Sequence, residues 1–297
     1  MSNSVKMKKD YEYLIARALN SDDGRLALAT LLIQPIRKAL DYLGIARKVL
    51  QVDYIPDGVL PIYEKDINSV AYTVPKRGTL PQPQIAGEQV AVDTFVIGVH
   101  PEILRTTVRK RRFNVINRIQ ARSRATIQEE EDTYLFTLLE AAVASPTAGD
   151  GPWDGFTGYT NPTYTGTLSR DPLADAWGQL RGLDVVPTKI LIHPTLAKSF
   201  LTWDNTDFDP ITQHHVLKTG LFGKIWGQDI YITKKAPTTK IYVTSDPEFL
   251  GVIPIRQDIE VLDSPNNREL KLGWAIYEEI GFSILSNTGV CRITKTG

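Results

Sequence analysis

Phe113-Asn114-Val115-Ile116-Asn117-Arg118-Ile119-Gln120-Ala121-Arg122-Ser123-Arg124-Ala125-Thr126-Ile127-Gln128-Glu129-Glu130-Glu131-Asp132-Thr133-Tyr134-Leu135-Phe136-Thr137-Leu138-Leu139-Glu140-Ala141-Ala142-Val143-Ala144 runs without a proline or a glycine. The stretch predicts one helix over 113–144. Ile116, Ile119, Ser123, Ile127, Glu130, Tyr134, Leu138 and Ala141 recur at steps of three and four, the spacing of a single helix face. At 1.5 Å per residue such a helix is about 48 Å long, far beyond the usual three turns or so. A spine of that length suits an extended domain better than a compact one.

Charge is segregated around this helix. Arg105, Arg109, Lys110, Arg111, Arg112, Arg118, Arg122 and Arg124 come first with no acid among them, and Glu129, Glu130, Glu131 and Asp132 follow. Cations at a helix N-terminus oppose its macrodipole, so the order does not serve the helix itself. It is either a solvated charged face or a complementary contact with another subunit or a polyanion.

Upstream, Val59–Tyr63 and Ser69–Val74 read as strands, and Pro75-Lys76-Arg77-Gly78-Thr79-Leu80-Pro81-Gln82-Pro83-Gln84 as turn and extended chain. Glu88–Val99 is a long β-branched run. Together they make a ribbon with a proline-rich tip. An isolated two-stranded ribbon is marginal in water, so it lies on its own domain or reaches a neighbouring subunit. Before it, residues 11–50 have a helical pattern broken at Ser21-Asp22-Asp23-Gly24.

Downstream, 146–170 is a loop rich in glycine, proline and aromatic residues. Helices over Leu173–Gly182 and Pro194–Trp203 alternate with strands over Lys189–Ile192, Asp229–Thr233 and Lys240–Thr244, an α+β arrangement. Residues 249–263 and 270–294 read as strands around a turn at Ser264-Pro265-Asn266-Asn267.

The chain has 34 Lys+Arg and 34 Asp+Glu, a zero balance that argues against a dedicated nucleic-acid binder. With 42% hydrophobic and 23% charged residues it is neither fibrous nor disordered. The single cysteine, Cys291, excludes a disulfide-built scaffold and reads as a small core residue. Neither a signal peptide nor a membrane span is visible, which points to folding in a cytoplasm.

Chemistry is sparse. His100, His193, His214 and His215 form no zinc spacing; His100 and His193 precede prolines at element ends and read as structural. Gly220-Leu221-Phe222-Gly223-Lys224-Ile225 has the wrong spacing for a phosphate loop, with Ile225 where a magnesium-binding hydroxyl belongs, and reads as a turn. Glu278 and Glu279 are neighbours in a strand and point to opposite faces, so they make a poor acid/base pair. The expectation is a non-enzyme without metal or cofactor, built for association. Two readings of other classes stand beside it: an enzyme with Trp153, Asp154 and Tyr159 in the 146–170 loop, and a nucleic-acid-binding module on 105–124.

From about residue 50 onward the order of parts resembles the tailed-bacteriophage major capsid proteins with the Hong Kong 97-type shell fold. The ribbon 57–99 resembles that family's extended E-loop, and 113–144 its spine helix. Leu221-Phe222-Gly223-Lys224-Ile225-Trp226-Gly227-Gln228-Asp229-Ile230-Tyr231-Ile232 resembles the start of an axial-domain strand. Asp246–Val252, Arg256–Val261 and Trp274–Phe282 resemble the stretches that build the peripheral sheet.

The resemblance implies an α+β fold of four parts: an N-terminal helical arm (1–56), an E-loop β-ribbon (57–100), a peripheral domain (101–148 and 246–297) and an axial domain (149–245). It implies a shell subunit forming hexamers and pentamers of an icosahedral head around double-stranded DNA. Implied partners are other copies of the chain, a separate scaffolding protein, a portal, in some heads a decoration protein, and DNA by non-specific contact, with no membrane. The implied location is the virion, after assembly in the host cytoplasm. Expected inter-subunit contacts are Lys76 and Arg77 at the ribbon tip, Arg109, Lys110, Arg111 and Arg112 before the helix, and Glu129, Glu130, Glu131 and Asp132 on it. The nearest alternative is an encapsulin-like nanocompartment, which shares the shell fold and encloses cargo enzyme instead.

Overall fold

A computed structural model describes residues 44–64, 89–106, 115–144, 161–203, 224–266 and 268–296. In chain order its elements are α1 (Ala46–Val49), β1 (Gln51–Tyr54), β2 (Ile62–Glu64), β3 (Gln89–Ala91), β4 (Phe95–Val99), β5 (Glu102–Leu104) and α2 (Val115–Ala144). Then come β6 (Thr163–Tyr164), α3 (Asp171–Gly182), β7 (Lys189–Ile192), α4 (Pro194–Ala197) and a 3-10 turn (Lys198–Thr202). The chain continues with β8 (Lys224–Ile225), β9 (Gln228–Ile232), β10 (Lys240–Thr244), α5 (Pro247–Leu250), β11 (Gly251–Asp263), β12 (Lys271–Ile280), β13 (Ser283–Ile284) and β14 (Val290–Lys295). The chain forms two compact units, one of 1–47, 94–134 and 255–281, the other of 48–93, 135–254 and 282–297.

In the first unit β11 and β12 form a long antiparallel hairpin, from Asp263↔Trp274 to Ile255↔Ile280, with bulges around Gln257. The far edge of β12 pairs with β4, from Ile276↔Val99 to Ile280↔Phe95. Strand parity decides which residues face inward. Leu272, Trp274, Ile276, Glu278 and Ile280 are buried, while Lys271, Ala275, Tyr277 and Glu279 between them are half-buried. Tyr134 of α2 packs on Phe95 with ring centroids 4.6 Å apart.

In the second unit six strands lie in the order β6-β14-β10-β7-β9-β8. Strand β10 runs antiparallel to β14 and β7, and β7 parallel to β9. Pro172 opens α3, where its missing N–H costs nothing. The core brings Leu173, Ala176 and Leu180 of α3 together with Ile190, Ile192, Ile241, Val243, Cys291 and Ile293. The β8–β9 hairpin turns through Trp226 and Gly227 at φ 49° and 83°, the pair of positive values a type I′ turn requires.

Four expectations shift. Helix α2 forms as expected, but its buried face follows the expected one only through Ile119, Ser123 and Ile127. It then continues as Glu131, Leu135, Leu139 and Val143, leaving Glu130, Tyr134 and Ala141 exposed. A step of four overshoots one turn by about 40°, so the stripe winds around the helix. The ribbon's returning strand ends at Ala91, and Phe95–Val99, expected in the ribbon, edges the first unit's sheet because β12 needs a partner there. Val290–Lys295, expected with the peripheral domain, pairs with β10 along five residues and buries Val290, Cys291 and Ile293 in the second unit. The helix expected over Pro194–Trp203 tightens to a 3-10 turn after Ala197.

Gly251 opens β11 against β13. A Cβ there would lie 2.3 Å from the Ser283 carbonyl oxygen and 2.9 Å from Ile284 Cα, both backbone atoms that cannot swing aside. Gly251→Ala is expected to lower subunit stability by about 1–3 kcal/mol in denaturant unfolding; an unchanged midpoint would remove β13 from that position.

Candidate assembly site

The last part of the N-terminal arm is anchored by charge. Ala46 and Val49 of α1 are fully buried, with Ile45 and Leu50 nearly so. The Ala46 N–H donates to Asp132 Oδ1 at 3.2 Å. Arg47 Nη2 lies 2.7 Å from Glu131 Oε1 and 2.8 Å from Glu278 Oε2, and the three side chains are 3%, 1% and 0% exposed. Helix α2 and strand β12 thus give one carboxylate each to one guanidinium. Glu131 is there because it falls on the winding stripe, and Glu278 because it has the inward parity of β12. Burial pushes the Glu278 carboxyl up to about 9, Glu131 adds to the rise, and Arg47 opposes it. Its second oxygen, Oε1, is buried with no hydrogen-bond partner.

A second cluster holds the C-terminal half of α2 within the other unit. Glu140 accepts hydrogen bonds from Lys240 Nζ and the Tyr242 hydroxyl, each at 2.5 Å, and pairs with Arg292. Burial works to raise the Glu140 carboxyl, but the Lys240 and Tyr242 hydrogen bonds and the two cations outweigh it and hold it below its ordinary value. The Tyr242 hydroxyl is pushed up, by burial first and by Glu140 second. Phe136, one turn earlier on α2, packs on the Tyr242 ring at 5.7 Å.

The ribbon base is different in character. Among the described residues strands β2 and β3 pair through Ile62↔Ala91, Tyr63↔Val90 and Glu64↔Gln89. The Tyr63 hydroxyl donates to Asp53 Oδ2 at 2.8 Å, tying the ribbon to β1. Gly58, at φ 82°, makes the bend between β1 and β2. Around that bend Tyr54, Val59, Leu60 and Ile62 are 54%, 49%, 54% and 51% exposed. Large apolar side chains left open close together in sequence mark a surface made for a partner.

Of the expected contact residues, Lys76, Arg77, Arg109, Lys110, Arg111 and Arg112 lie outside the described residues. Glu129 and Glu130 are exposed on α2. Glu131 and Asp132 are buried and engaged by Arg47 and the Ala46 amide, so they serve their own subunit and are corrected from the expected inter-subunit set. Glu278 and Glu279 do point to opposite faces, Glu279 accepting from Thr94 and Arg256 at 2.6 and 2.9 Å. His193 caps α4, its Nδ1 accepting the Thr195 N–H at 3.1 Å. Arg47 and Glu278 were missed as partners; the one signal was an acid at an inward position of an apolar strand. Among the described residues no His, Cys, Asp and Glu group could hold a metal, and no helix is long and apolar enough to cross a membrane.

Comparison with known proteins supplies the context for these parts. The family model described as "Phage capsid protein" matches residues 102–293, more than half of the chain. Similar solved structures include the capsid of Cyanophage P-SCSP1u, at TM-score 0.61 and 13% identity over 86% of this chain and 88% of that one. The mature capsid of bacteriophage PhiM1 gives TM-score 0.60 and 11% identity, over 86% and 88%. A virus-like particle from Pyrococcus furiosus gives TM-score 0.54 and 13% identity, over 90% and 97%. No match is found among curated proteins. The long spine helix, the β11–β12 hairpin and the mixed second sheet fit the Hong Kong 97-type shell fold, and the chain belongs to the phage capsid protein family as a shell subunit.

Proposed function

We propose that copies of this chain assemble into hexamers and pentamers that close an icosahedral head around double-stranded DNA. A separate scaffolding protein guides assembly, a portal occupies one vertex, and DNA meets the inner surface without sequence preference. Assembly takes place in the host cytoplasm, and the role is structural rather than catalytic. The observation that carries this reading is the exposed apolar strip Tyr54, Val59, Leu60 and Ile62 at the ribbon base. An isolated two-stranded ribbon is marginal in water, and a neighbouring subunit beneath it would cover the strip. The likeness to a virus-like particle from Pyrococcus furiosus supports one second reading, a shell enclosing protein cargo.

Light scattering and negative-stain images of the purified chain, alone and co-expressed with a scaffolding protein, test the proposal. Closed shells are expected, and nucleic acid inside them decides for the head over the cargo compartment. A strict monomer under both conditions overturns it.

Two substitutions separate the contacts. Leu60→Asp with Ile62→Asp removes apolar burial of about 1.5–3 kcal/mol per side chain at each contact. The concentration needed for assembly should rise at least about tenfold, with the circular dichroism of the subunit unchanged. Arg111→Glu with Arg112→Glu should impair assembly and leave the subunit folded, most strongly at low salt; normal shells from that variant would sink the electrostatic part of the proposal.

A further inference from the structure

The anchor of the arm segment has an unbalanced charge. Among the described residues one guanidinium, Arg47, faces two carboxylates, Glu131 and Glu278, all essentially without solvent. With both carboxylates ionised the cluster carries a surplus negative charge, and burying such a charge costs several kcal/mol. A proton shared between the carboxylates removes the surplus and leaves one ion pair. We propose that Arg47, Glu131 and Glu278 form a proton-controlled latch, which with one shared proton clamps the last part of the N-terminal arm onto α2 and β12, and which loosens when that proton is lost. The latch lies within one subunit, so the inference does not depend on the shell-building proposal.

Among the described residues, the neighbours of the cluster are an acid and groups that are apolar or engaged elsewhere. From α2 come Glu131 and its neighbour Asp132, whose Oδ1 accepts the Ala46 N–H. The arm segment contributes Arg47. The β4 residue in register with Glu278 is Ile97, which is buried and apolar. On the β11 side, Gln257 pairs with Glu279 and Glu260 with Tyr277, so the bulge between them falls opposite Glu278. The titratable groups there are engaged elsewhere: Asp258 accepts the Ile259 N–H at 2.9 Å, and Glu260 accepts the Tyr277 hydroxyl at 2.8 Å.

The sign follows from the raised Glu278 carboxyl. The folded state holds a proton that the unfolded chain releases in the ordinary carboxylate range. The latch is therefore strongest in acid and weakens as pH climbs towards about 9. An ordinary ion pair behaves oppositely, weakening as acid neutralises its carboxylate.

Hydrogen exchange of the peptide spanning residues 45–50, in the full chain and corrected for the intrinsic pH dependence, reads the latch directly. Protection in the wild type should be greatest in acid and fall as pH climbs from the ordinary carboxylate range towards about 9, by up to about tenfold per pH unit for a one-proton opening, and level off above it. Glu278→Gln keeps the shape and cannot ionise, so its protection should stay flat. Glu131→Gln leaves Glu278 alone with Arg47, where the ionised pair is neutral. Its protection should therefore be lost on the acid side, reversing the trend. Wild-type protection independent of pH, an unchanged loss with rising pH in Glu278→Gln, or the wild-type trend retained in Glu131→Gln each overturn the latch. Should Glu278→Gln fail to fold, the reversal in Glu131→Gln decides alone.

Discussion

Helix α2 buries Ile119, Ile127, Glu131, Leu135, Leu139 and Val143 on one stripe, and the stripe advances by four residues at a time. A straight helix returns to the same side every 3.6 residues, so this stripe drifts steadily around the axis. Residues up to Tyr134 of this 30-residue helix bury their side of the stripe in the first unit, and residues from Leu135 onward bury theirs in the second. No proline or glycine interrupts it, so the change of partner is carried by side-chain placement alone. The rest of the structure hangs on this element, because each half positions the carboxylate that fixes its own surroundings: Glu131 for the arm segment, Glu140 for β10 and β14.

Those two carboxylates show how exposure and partner count decide an ion pair's character. Glu140 is about a third exposed and meets two cations and a hydroxyl. Attraction outweighs desolvation there, and its carboxyl is held low. The Glu131–Glu278 pair has essentially no solvent and one guanidinium between two acids. Desolvation and the neighbouring carboxylate outweigh the guanidinium there, and the Glu278 carboxyl is pushed up. The same helix therefore carries an ordinary electrostatic bolt in one unit and a proton-dependent one in the other.

Local patterns made much of the fold legible. The absence of helix breakers gave α2, strand parity gave β12 and the opposed faces of Glu278 and Glu279, and short apolar runs gave β7 and β10. The errors arose where distant parts compete. A face read at steps of three and four misses a stripe that winds, which put Glu131 on the surface and Glu130 inside. Val290–Lys295 is as apolar as its predecessors, and only the vacant edge of β10 shows which sheet takes it. The Arg47–Glu131–Glu278 cluster joins residues more than eighty and more than two hundred positions apart in sequence. No periodicity connects them, and Arg47 alone looks like any other surface cation. Resemblance to a known family supplied the assembly role that composition and spacing could not.

The contrast between the anchored arm segment and the open ribbon base carries the last step. Both leave the scaffold as short elements: α1 has four residues, and β2 and β3 have three each. Neither length is stable alone. The arm segment is completed inside its own subunit, with Ala46 and Val49 buried and Arg47 neutralised. Among the described residues the ribbon base is held by Tyr63–Asp53 and three strand pairs, while Leu60 and Ile62 stay half exposed. Apolar surface of that kind gains free energy only when covered, at roughly 25 cal/mol per Å². Association that covers the apolar side chains of the ribbon base can therefore stabilise the ribbon without disturbing the core that positions it.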